Sequence, residues 1–153
     1  MHRILFICHG NICRSPMAEF VFNHLVKGSP LEGKYTAYSK ATSYEEEGNS
    51  PHRGTLQKLR EEGIPVYGHR SSRLEAADYG EYDMIIGMEE SNLRNIMRII
   101  KSDPECKVHK LLDFAGGGDI DDPWYTGDFD STYRDISLGV KGLITFLQKD
   151  TPL

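Results

Sequence analysis

The sequence RILFICHGNICRSP, at residues 3–16, predicts three structural segments in succession. Residues 3–7 form a short apolar run that is typical of a buried strand. Residues 8–14 have little strand or helix character and therefore indicate a loop. Ser15 and Pro16 predict the start of a helix, because a hydroxyl favours the N-cap and a proline favours the first helical position. The stretch therefore predicts a strand whose carboxyl end runs through a loop into a helix.

The same succession of strand and helix is repeated along the chain. Strands separated by helices require crossover connections, which favour a mostly parallel sheet covered on both faces. The length of 153 residues fits one domain, so we expect residues 1–153 to form a single α/β domain. Further strands are predicted at residues 35–39, 84–86 and 108–112, and further helices after Ser50-Pro51, after Ser71 or Ser72, at residues 91–100 and at residues 133–147.

Composition and charge exclude several classes of protein. The net charge of −5 has the wrong sign for a dedicated nucleic-acid binder, which needs a basic surface. The longest strongly apolar run, residues 4–8, is too short to cross a membrane. Three cysteines are an odd number without the spacing of a disulfide scaffold, which favours a reducing cytoplasm. We therefore expect a soluble cytoplasmic protein with neither a nucleic acid nor a membrane as its partner.

Residues 8–15, which we name the anion loop, have the composition of an anion-binding site. A loop of this length that enters a helix can turn its backbone N–H groups inward around an anion. Gly10 and Asn11 tolerate the left-handed backbone angles that such a loop requires. Arg14 adds a planar guanidinium that matches two oxygens of a phosphate group. In parallel sheets, ligands bind at the carboxyl ends of the strands, where this loop begins.

Cys8 begins the anion loop and is predicted to lie at its base, facing the phosphorus of a bound phosphate. A thiol beside an arginine and a helix N-terminus is favoured as the thiolate, so the groups that bind the anion also activate the nucleophile. Ser15 can donate a hydrogen bond to the same sulfur. The alternative is a small buried residue that ends the strand. A nucleotide-triphosphate loop is disfavoured, because the sequence lacks the G-x-x-x-x-G-K-[ST] motif.

Residues 121–125, which we name the acid loop, offer a proton donor for the same chemistry. Displacement of an aryl oxide from phosphorus is accelerated when a carboxylic acid protonates the leaving oxygen. Asp122 fits this task because Pro123 restricts the backbone next to it. Trp124 and Tyr125 can line the entrance of the cleft and stack on a flat substrate. Asp-Pro also occurs in plain turns, and spacing alone does not separate Asp122 from Asp121.

The acidic and cysteine residues of the chain do not predict a metal site. Seven aspartates lie between residues 113 and 135, but their order does not fit the calcium-binding loop, so a solvated acidic surface explains them better. A zinc site would require distant segments to converge and would place a cation beside Arg14. We therefore expect neither a metal nor another cofactor. The residues available for such a zinc site are Cys8, Cys13, Cys106 and His109.

The anion loop with Pro16, taken together with residues 122–125, resembles the motifs of the low-molecular-weight protein tyrosine phosphatases. The resemblance covers nearly the whole chain and extends to Ser39, His69, residues 48–51 and residues 88–93. It implies a three-layer α/β/α sandwich with a four-stranded parallel sheet and the phosphate-binding loop after the first strand. It also implies a metal-independent phosphoric monoester hydrolase that acts on phosphotyrosine, in a protein or a small aryl phosphate, through a phosphocysteine intermediate.

The resemblance implies roles for individual residues. Cys8 is then the nucleophile, Arg14 is the clamp for the phosphate and the transition state, and Asp122 rather than Asp121 is the general acid. Ser15 assists the departure of the thiolate.

The resemblance also implies a set of supporting and substrate-binding residues. Asn11 is expected to hold the strained loop through hydrogen bonds to Ser39 and His69. The implied substrate-binding residues are His9, Gly10, Asn11, Ile12, Cys13, Ser15, Trp124 and Tyr125.

Three alternatives share part of this pattern. Phosphoarginine phosphatases resemble this family but tend to have threonine where this chain has Ile12, which favours phosphotyrosine as the substrate. Thioredoxin-linked arsenate reductases share the loop but carry a closely spaced cysteine pair beyond mid-chain, where this chain has only Cys106. A non-catalytic phosphopeptide-binding module is expected to lack the nucleophile or the acid, and Cys8 and Asp122 are both present.

Two positions leave the specificity and the redox behaviour open. Members of the family often have an aromatic residue near the position of Glu45, so we expect the aromatic wall of the cleft to be shifted to Tyr44 or lost. Cys13 is either the partner of Cys8 in a reversible disulfide or a small buried residue.

Overall fold

A parallel sheet forms the middle layer of the molecule, whose residues 1–150 the computed structural model describes. The strands of this part of the chain are β1 (His2–Cys8), β2 (Tyr35–Ala41), β3 (Met84–Gly87) and β4 (Val108–Lys110). They lie in the order β2-β1-β3-β4, so β1 occupies an interior position. The four-stranded parallel sheet of the predicted α/β fold is confirmed.

Helices cover both faces of this sheet. They are α1 (Arg14–Leu25), α2 (Arg53–Glu61), α3 (Glu90–Ile100), α4 (Pro123–Thr126) and α5 (Phe129–Asp150). Short 3₁₀ helices occupy Ala76–Gly80 and Leu111–Ala115. Over residues 1–150, no helix combines the length and the apolar character that crossing a membrane requires.

The core lies on both sides of β1 and creates three layers. Ile4 and Phe6 point to the face that packs against α1 and α5, and Leu5 and Ile7 point to the face that packs against α3. All four side chains are fully buried. Because a strand buried on both faces needs apolar residues at every position, β1 appears in the sequence as a continuous apolar run.

The strand order places the carboxyl ends of β1 and β3 at a topological switch point. β1 pairs with β3 in parallel, with Phe6 opposite Ile86, while β2 lies on the other side of β1. Ligands of open α/β sheets bind outside such a point. The anion loop leaves β1 here. The backbone N–H of Ile120 donates to the carbonyl oxygen of Met88 at 2.9 Å, which brings the acid loop to the same edge.

The prediction of Ser15 as the N-cap of the first helix is wrong. α1 begins at Arg14, with Cys13 in the N-cap position. The Ser15 hydroxyl lies 3.1 Å from the sulfur of Cys8 and accepts a hydrogen bond from Asn11 Nδ2 at 2.7 Å. The hydroxyl is therefore used inside the anion loop and not at the helix end.

The other predicted caps are also wrong. The side chain of His52, rather than that of Ser50, caps α2. Residues 71–75 are not helical, so the helix predicted after Ser71 or Ser72 does not form there. Instead, Ser71 Oγ donates to the carbonyl oxygen of Gly10 at 2.8 Å. The fourth strand ends at residue 110 rather than 112, because a 3₁₀ helix begins at residue 111.

Candidate active site

The sulfur of Cys8 lies at the base of the anion loop and receives several hydrogen bonds. Cys8 is only 3% exposed. Its Sγ accepts from the backbone N–H of Asn11 at 3.3 Å and of Ser15 at 3.4 Å. Because Asn11 Nδ2 already donates to Ser15 Oγ, the hydroxyl proton of Ser15 is available to the sulfur at 3.1 Å. Converging N–H and O–H donors form the surroundings in which a thiolate is stable.

Asn11 keeps the anion loop in its inward-facing shape. Its backbone adopts a left-handed φ of 58°, which asparagine tolerates better than most residues. Its buried Oδ1 accepts from His69 Nε2 at 3.0 Å and from the backbone N–H of Ser72 at 3.4 Å. The expected hydrogen bond from Asn11 to Ser39 is replaced by an indirect one. Ser39 Oγ lies 3.4 Å from His69 Nε2 and donates to Glu19 Oε1 at 2.7 Å.

A buried polar network stands behind the loop. Glu19 is 4% exposed, and its carboxylate accepts hydrogen bonds from the hydroxyls of Ser39 and Tyr67. Burial and the neighbouring Glu19 raise the pKa of Tyr67, so its hydroxyl stays a donor. Burial lowers the pKa of His69, although Glu19 opposes that shift. His69 is therefore neutral at physiological pH and donates to Asn11 without adding charge to the site.

Arg14 is buried and fixed by groups on two other segments. It is 2% exposed, and its Nη1 donates to the carboxylate of Glu89 and, at 2.9 Å, to the carbonyl oxygen of Ile120. Its Nη2 lies 3.3 Å from Asp122 Oδ2. Burial alone would lower the pKa of Arg14, but the negative groups of Cys8, Asp122 and Glu89 outweigh burial and raise it. The guanidinium is thus permanently charged and rigidly placed.

Cys13 lies in the same loop but has the properties of a protonated thiol. Burial, followed by the negative charges of Cys8 and Asp122, raises the pKa of Cys13 to about 12. Its carbonyl oxygen accepts a hydrogen bond from Thr55 Oγ1 at 3.2 Å. Because the thiolate is the nucleophilic form, Cys13 is a poor nucleophile at neutral pH.

Asp122, and not Asp121, projects its carboxylate toward the anion loop. Asp122 Oδ1 accepts from the backbone N–H of Trp124 at 3.0 Å, which caps α4, and Oδ2 faces Arg14. The side chain of Asp122 is 21% exposed, so water and substrate can reach it. Asp121 is exposed, and its carbonyl oxygen accepts from Thr132 Oγ1 at 3.4 Å.

One pocket collects most of the residues that the sequence predicts for the site. Its floor is the anion loop, and its mouth is formed by exposed aromatic side chains of the acid loop. Asn11 and Ser15 are fully buried behind the floor. The pocket is lined by Cys8, His9, Gly10, Ile12, Cys13, Arg14, Glu45, Glu46, Asp122, Trp124 and Tyr125.

The sequence matches a family whose members share this arrangement of segments. The model of the family described as low molecular weight phosphotyrosine protein phosphatase matches residues 3–153. The chain belongs to this family. It is 36% identical to the low molecular weight protein-tyrosine-phosphatase YfkJ of Bacillus subtilis over 156 residues, which cover 100% of both chains. It is 37% identical to PtpA of Staphylococcus haemolyticus over 152 residues, or 98% of this chain and 96% of that one.

Solved structures of phosphatases agree with the family assignment. The crystal structure of B. subtilis YfkJ superposes with a TM-score of 0.94 at 35% identity and covers 99% of this chain and 98% of that one. The crystal structure of a Drosophila arginine phosphatase superposes with a TM-score of 0.85 at 27% identity, with 97% and 99% covered. The prediction of an enzyme is confirmed, since the family is a metal-independent class of phosphatases.

The mouth of this phosphatase pocket has an acidic wall at the position where members of the family often have an aromatic residue. Glu45 and Glu46 line the pocket, and Glu45 Oε2 lies 2.8 Å from His9 Nε2 on the opposite rim. Tyr44 does not replace the aromatic wall, because its exposed ring faces the guanidinium of Arg73 at 4.7 Å. Of the two expectations for this wall, its loss is the one that agrees with the structure.

The acidic side chains that the structure describes do not cluster in the geometry of a metal site. Among the residues that the structure describes, no three His, Cys, Asp or Glu side chains are arranged to hold a metal ion. Cys106 is exposed, whereas Cys8 and Cys13 are buried, and all three thiols are free.

Sequence reasoning missed several side chains that position the phosphatase site. Glu89 holds Arg14, and Glu19 with Tyr67 supports His69 from behind. His52 contacts both the anion loop and the acid loop. The position of Glu89, two residues after the end of the third strand, is a usable signal, because that strand end was predicted to face the same site. His52 carries no such signal in the sequence.

Proposed function

We propose that residues 1–153 form a single domain that hydrolyses phosphotyrosine monoesters through a phosphocysteine intermediate. The observation that supports this most is the convergence of hydrogen-bond donors on Cys8 Sγ within a pocket that also contains Arg14 and Asp122. The sulfur, the cation and the acid are the nucleophile, the electrophilic clamp and the proton donor that phosphoryl transfer to a protein side chain requires.

In the first step, the substrate phosphate occupies the anion loop between the backbone N–H groups and the guanidinium of Arg14. Cys8 Sγ attacks the phosphorus in line with the leaving oxygen, so an S–P bond forms while the P–O bond to the phenol breaks. Asp122 gives its proton to the departing phenolate oxygen, and a neutral phenol leaves. Arg14 stabilises the negative charge on the equatorial phosphate oxygens, because its position is fixed before the substrate arrives.

In the second step, Asp122 is a carboxylate and acts as a general base toward water. The water oxygen attacks the phosphorus and gives its proton to Asp122, while the S–P bond breaks and inorganic phosphate forms. The electron pair of that bond returns to Cys8, whose negative charge is stabilised by the Ser15 hydroxyl at 3.1 Å. Both steps proceed without a metal ion or another cofactor.

The pocket favours an aryl substrate, with phosphoarginine as the second candidate. Ile12 provides an apolar wall, and the exposed rings of Trp124 and Tyr125 can stack on a phenyl group. Glu45 and Glu46 at the mouth provide negative charge that suits the guanidinium of phosphoarginine. The phosphotyrosine substrate is a protein or a small aryl phosphate, and the cytoplasmic location stays a prediction.

A panel of substrates tests the proposal. Phosphotyrosine, phosphoserine, phosphoarginine and arsenate are offered to the purified protein, with and without a chelator. We expect phosphotyrosine to be hydrolysed fastest, at the same rate in both conditions. Faster release of phosphate from phosphoarginine would select the second candidate. Thioredoxin-dependent turnover of arsenate would indicate a reductase, and loss of activity with the chelator would contradict a metal-free mechanism.

A pair of cysteine variants separates catalysis from binding. Cys8→Ser is expected to reduce hydrolysis of an aryl phosphate to background while inorganic phosphate still binds, because the backbone donors of the anion loop remain. Cys106→Ser is the matched control, since Cys106 is exposed and lies outside the pocket. A Cys8→Ser protein that retains turnover would contradict the proposed nucleophile, and retained binding without turnover in the wild type would indicate a phosphopeptide-binding module.

A further inference from the structure

His52 contacts both loops of the site, the anion loop and the acid loop. Its backbone N–H donates to the carbonyl oxygen of Ile12, in the anion loop, at 2.7 Å. Its ring Nδ1 accepts from the backbone N–H of Gly54 at 2.9 Å and so caps α2. Because Nδ1 is the acceptor, the ring orientation is fixed, and the two ring faces and the outer edge are available for packing.

The ring of His52 packs against both ends of the segment that carries α4. It stacks on Phe129 with a centroid distance of 5.2 Å and an interplanar angle of 22°. It meets Trp124 edge to face, with a centroid distance of 5.7 Å and an angle of 84°. The chain at Gly54 admits only glycine, since a Cβ there would lie 2.4 Å from the Phe129 ring. Trp124, within α4, and Phe129, shortly after it, therefore both pack against one imidazole.

The orientation of Asp122 follows that of α4. Asp122 Oδ1 accepts from the backbone N–H of Trp124 at 3.0 Å, and the carbonyl oxygen of Asp122 accepts from the N–H groups of Tyr125 and Thr126. These hydrogen bonds make the carboxylate a rigid part of the short helix. A change in the position of α4 relative to the anion loop therefore moves the acid relative to Cys8.

We propose that His52 is a positioning residue that sets the distance between the general acid Asp122 and the anion loop. The inference rests on the proposed function and adds to it a device by which α2 connects the two loops. His52 touches neither the phosphate nor the leaving group, so it acts through Trp124 and Phe129. If His52 served only as a helix cap, its replacement by asparagine would leave proton donation unchanged, because asparagine provides the same cap.

Two variants distinguish the role of His52 as a helix cap from the packing of its ring against the aromatic residues. His52→Asn keeps a side-chain acceptor for the N–H of Gly54 but removes the ring that supports Trp124 and Phe129. His52→Phe keeps a ring but removes the acceptor. His24→Asn, at the far end of α1, is the matched control for the same chemical change.

The readout is the dependence of kcat/KM on the leaving group. Phenyl phosphate has a poor leaving group that needs the proton of Asp122, whereas dinitrophenyl phosphate has a good one that does not. For His52→Asn we expect kcat/KM to fall about tenfold with phenyl phosphate and less than about twofold with dinitrophenyl phosphate. The tenfold loss is smaller than the rate factor of about 10² to 10⁴ that a well-placed proton donor contributes, because Asp122 is displaced but still present. The inhibition constant of inorganic phosphate should stay at the wild-type value. His52→Phe should unfold at a lower urea concentration than the wild type. The ratio of its kcat/KM values for the two substrates should stay near the wild-type ratio.

A second measurement tests whether His52 and Phe129 affect catalysis through their contact with each other. If they do, Phe129→Leu added to His52→Asn lowers kcat/KM with phenyl phosphate no further than either change alone, because effects of residues in contact are not additive.

The inference is overturned if His52→Asn keeps the wild-type ratio of the two substrates, or if it weakens phosphate binding and slows both substrates equally. A wild-type protein that hydrolyses neither aryl phosphate would instead contradict the proposed function itself.

Discussion

The anion loop and the acid loop face each other across one pocket, but they are held in different ways. The anion loop is buried, with Asn11 and Ser15 at 0% and Arg14 at 2% exposure, and its shape depends on a dense set of hydrogen bonds. The acid loop is exposed, with Trp124 at 57% and Tyr125 at 83%, and it rests on a few aromatic contacts and one helix cap.

The difference assigns different tasks to the two loops. A buried polar network with its partners satisfied is rigid and tolerates few substitutions. The anion loop is therefore expected to determine binding and attack for every phosphate substrate. The acid loop is expected to determine which leaving group departs and which side chain fits the mouth. Substitutions in the two loops should then differ in their dependence on the substrate as well as in their size.

The largest effect is expected in the acid loop. Asp122→Asn removes the proposed proton donor, so kcat/KM with phenyl phosphate should fall by about two to four decades, with a much smaller loss for dinitrophenyl phosphate. Steady-state kinetics with both substrates measures the effect, and Asp121→Asn is the matched control. Full activity of Asp122→Asn together with an inactive Asp121→Asn would reassign the acid.

Arg14→Lys tests the anion loop at its charged residue. Lysine keeps the charge but loses the planar pair of donors, so kcat/KM should fall by about 10² to 10³, the range seen when a transition-state donor is lost. The loss should be equal for both aryl phosphates, because in the proposed mechanism the guanidinium contacts the phosphoryl group and not the phenol. Arg53→Lys, at the exposed start of α2, should change neither rate. A loss in Arg14→Lys that depends on the leaving group would contradict the proposal that the anion loop acts equally on every phosphate substrate.

Glu89→Gln tests whether the position of Arg14 contributes to catalysis. The variant replaces a charge-assisted hydrogen bond by a neutral one, so we expect roughly a tenfold loss in kcat/KM, or about 1.4 kcal/mol. Glu90→Gln is the matched control, since Glu90 pairs with Lys110 outside the pocket, at 2.9 Å. Wild-type kinetics in Glu89→Gln would mean that Ile120 and burial suffice to hold the guanidinium.

The smallest effect concerns the support behind the anion loop and appears in the pH dependence of stability. Burial lowers the pKa of His69 below its ordinary value of 6.5, so below pH 6.5 the unfolded chain binds a proton that the folded protein does not. The free energy of unfolding therefore decreases as the pH falls from 6.5 toward the folded-state pKa. Urea titrations at several pH values should show a shallower decrease in His69→Asn. Equal slopes in the two proteins would mean that His69 is not buried as a neutral ring.

The sequence predicts the anion loop well because its chemistry is local. The proposed nucleophile, the left-handed asparagine and the arginine lie within seven consecutive residues, between a strand and a helix whose patterns are clear. The hydrogen bonds to Cys8 follow from that arrangement. Asp122 was harder, since it is more than a hundred residues away, and only the fold brings it within 3.3 Å of Arg14.

The sequence fails where a side chain has two possible uses. Ser15, Ser50 and Ser71 all have the residue type of a helix cap, but tertiary partners occupy Ser15 and Ser71. His52 and Glu89 act between segments that are distant along the chain. The position of Glu89 after the third strand places it near the site but does not identify Arg14 as its partner, and His52 carries no signal in the sequence. Local propensity predicts elements, and the pairing of polar side chains across elements requires the fold.

The most direct test of the mechanism is the detection of the phosphorylated enzyme. The Asp122→Ala variant is mixed with dinitrophenyl phosphate, whose leaving group departs without a proton. The intermediate should then form but hydrolyse slowly, because the proposed general base is missing. After an acid quench, mass spectrometry of peptides should find one phosphoryl group, on Cys8. A phosphoryl group on another residue, or release of phosphate with no labelled enzyme, would contradict the account.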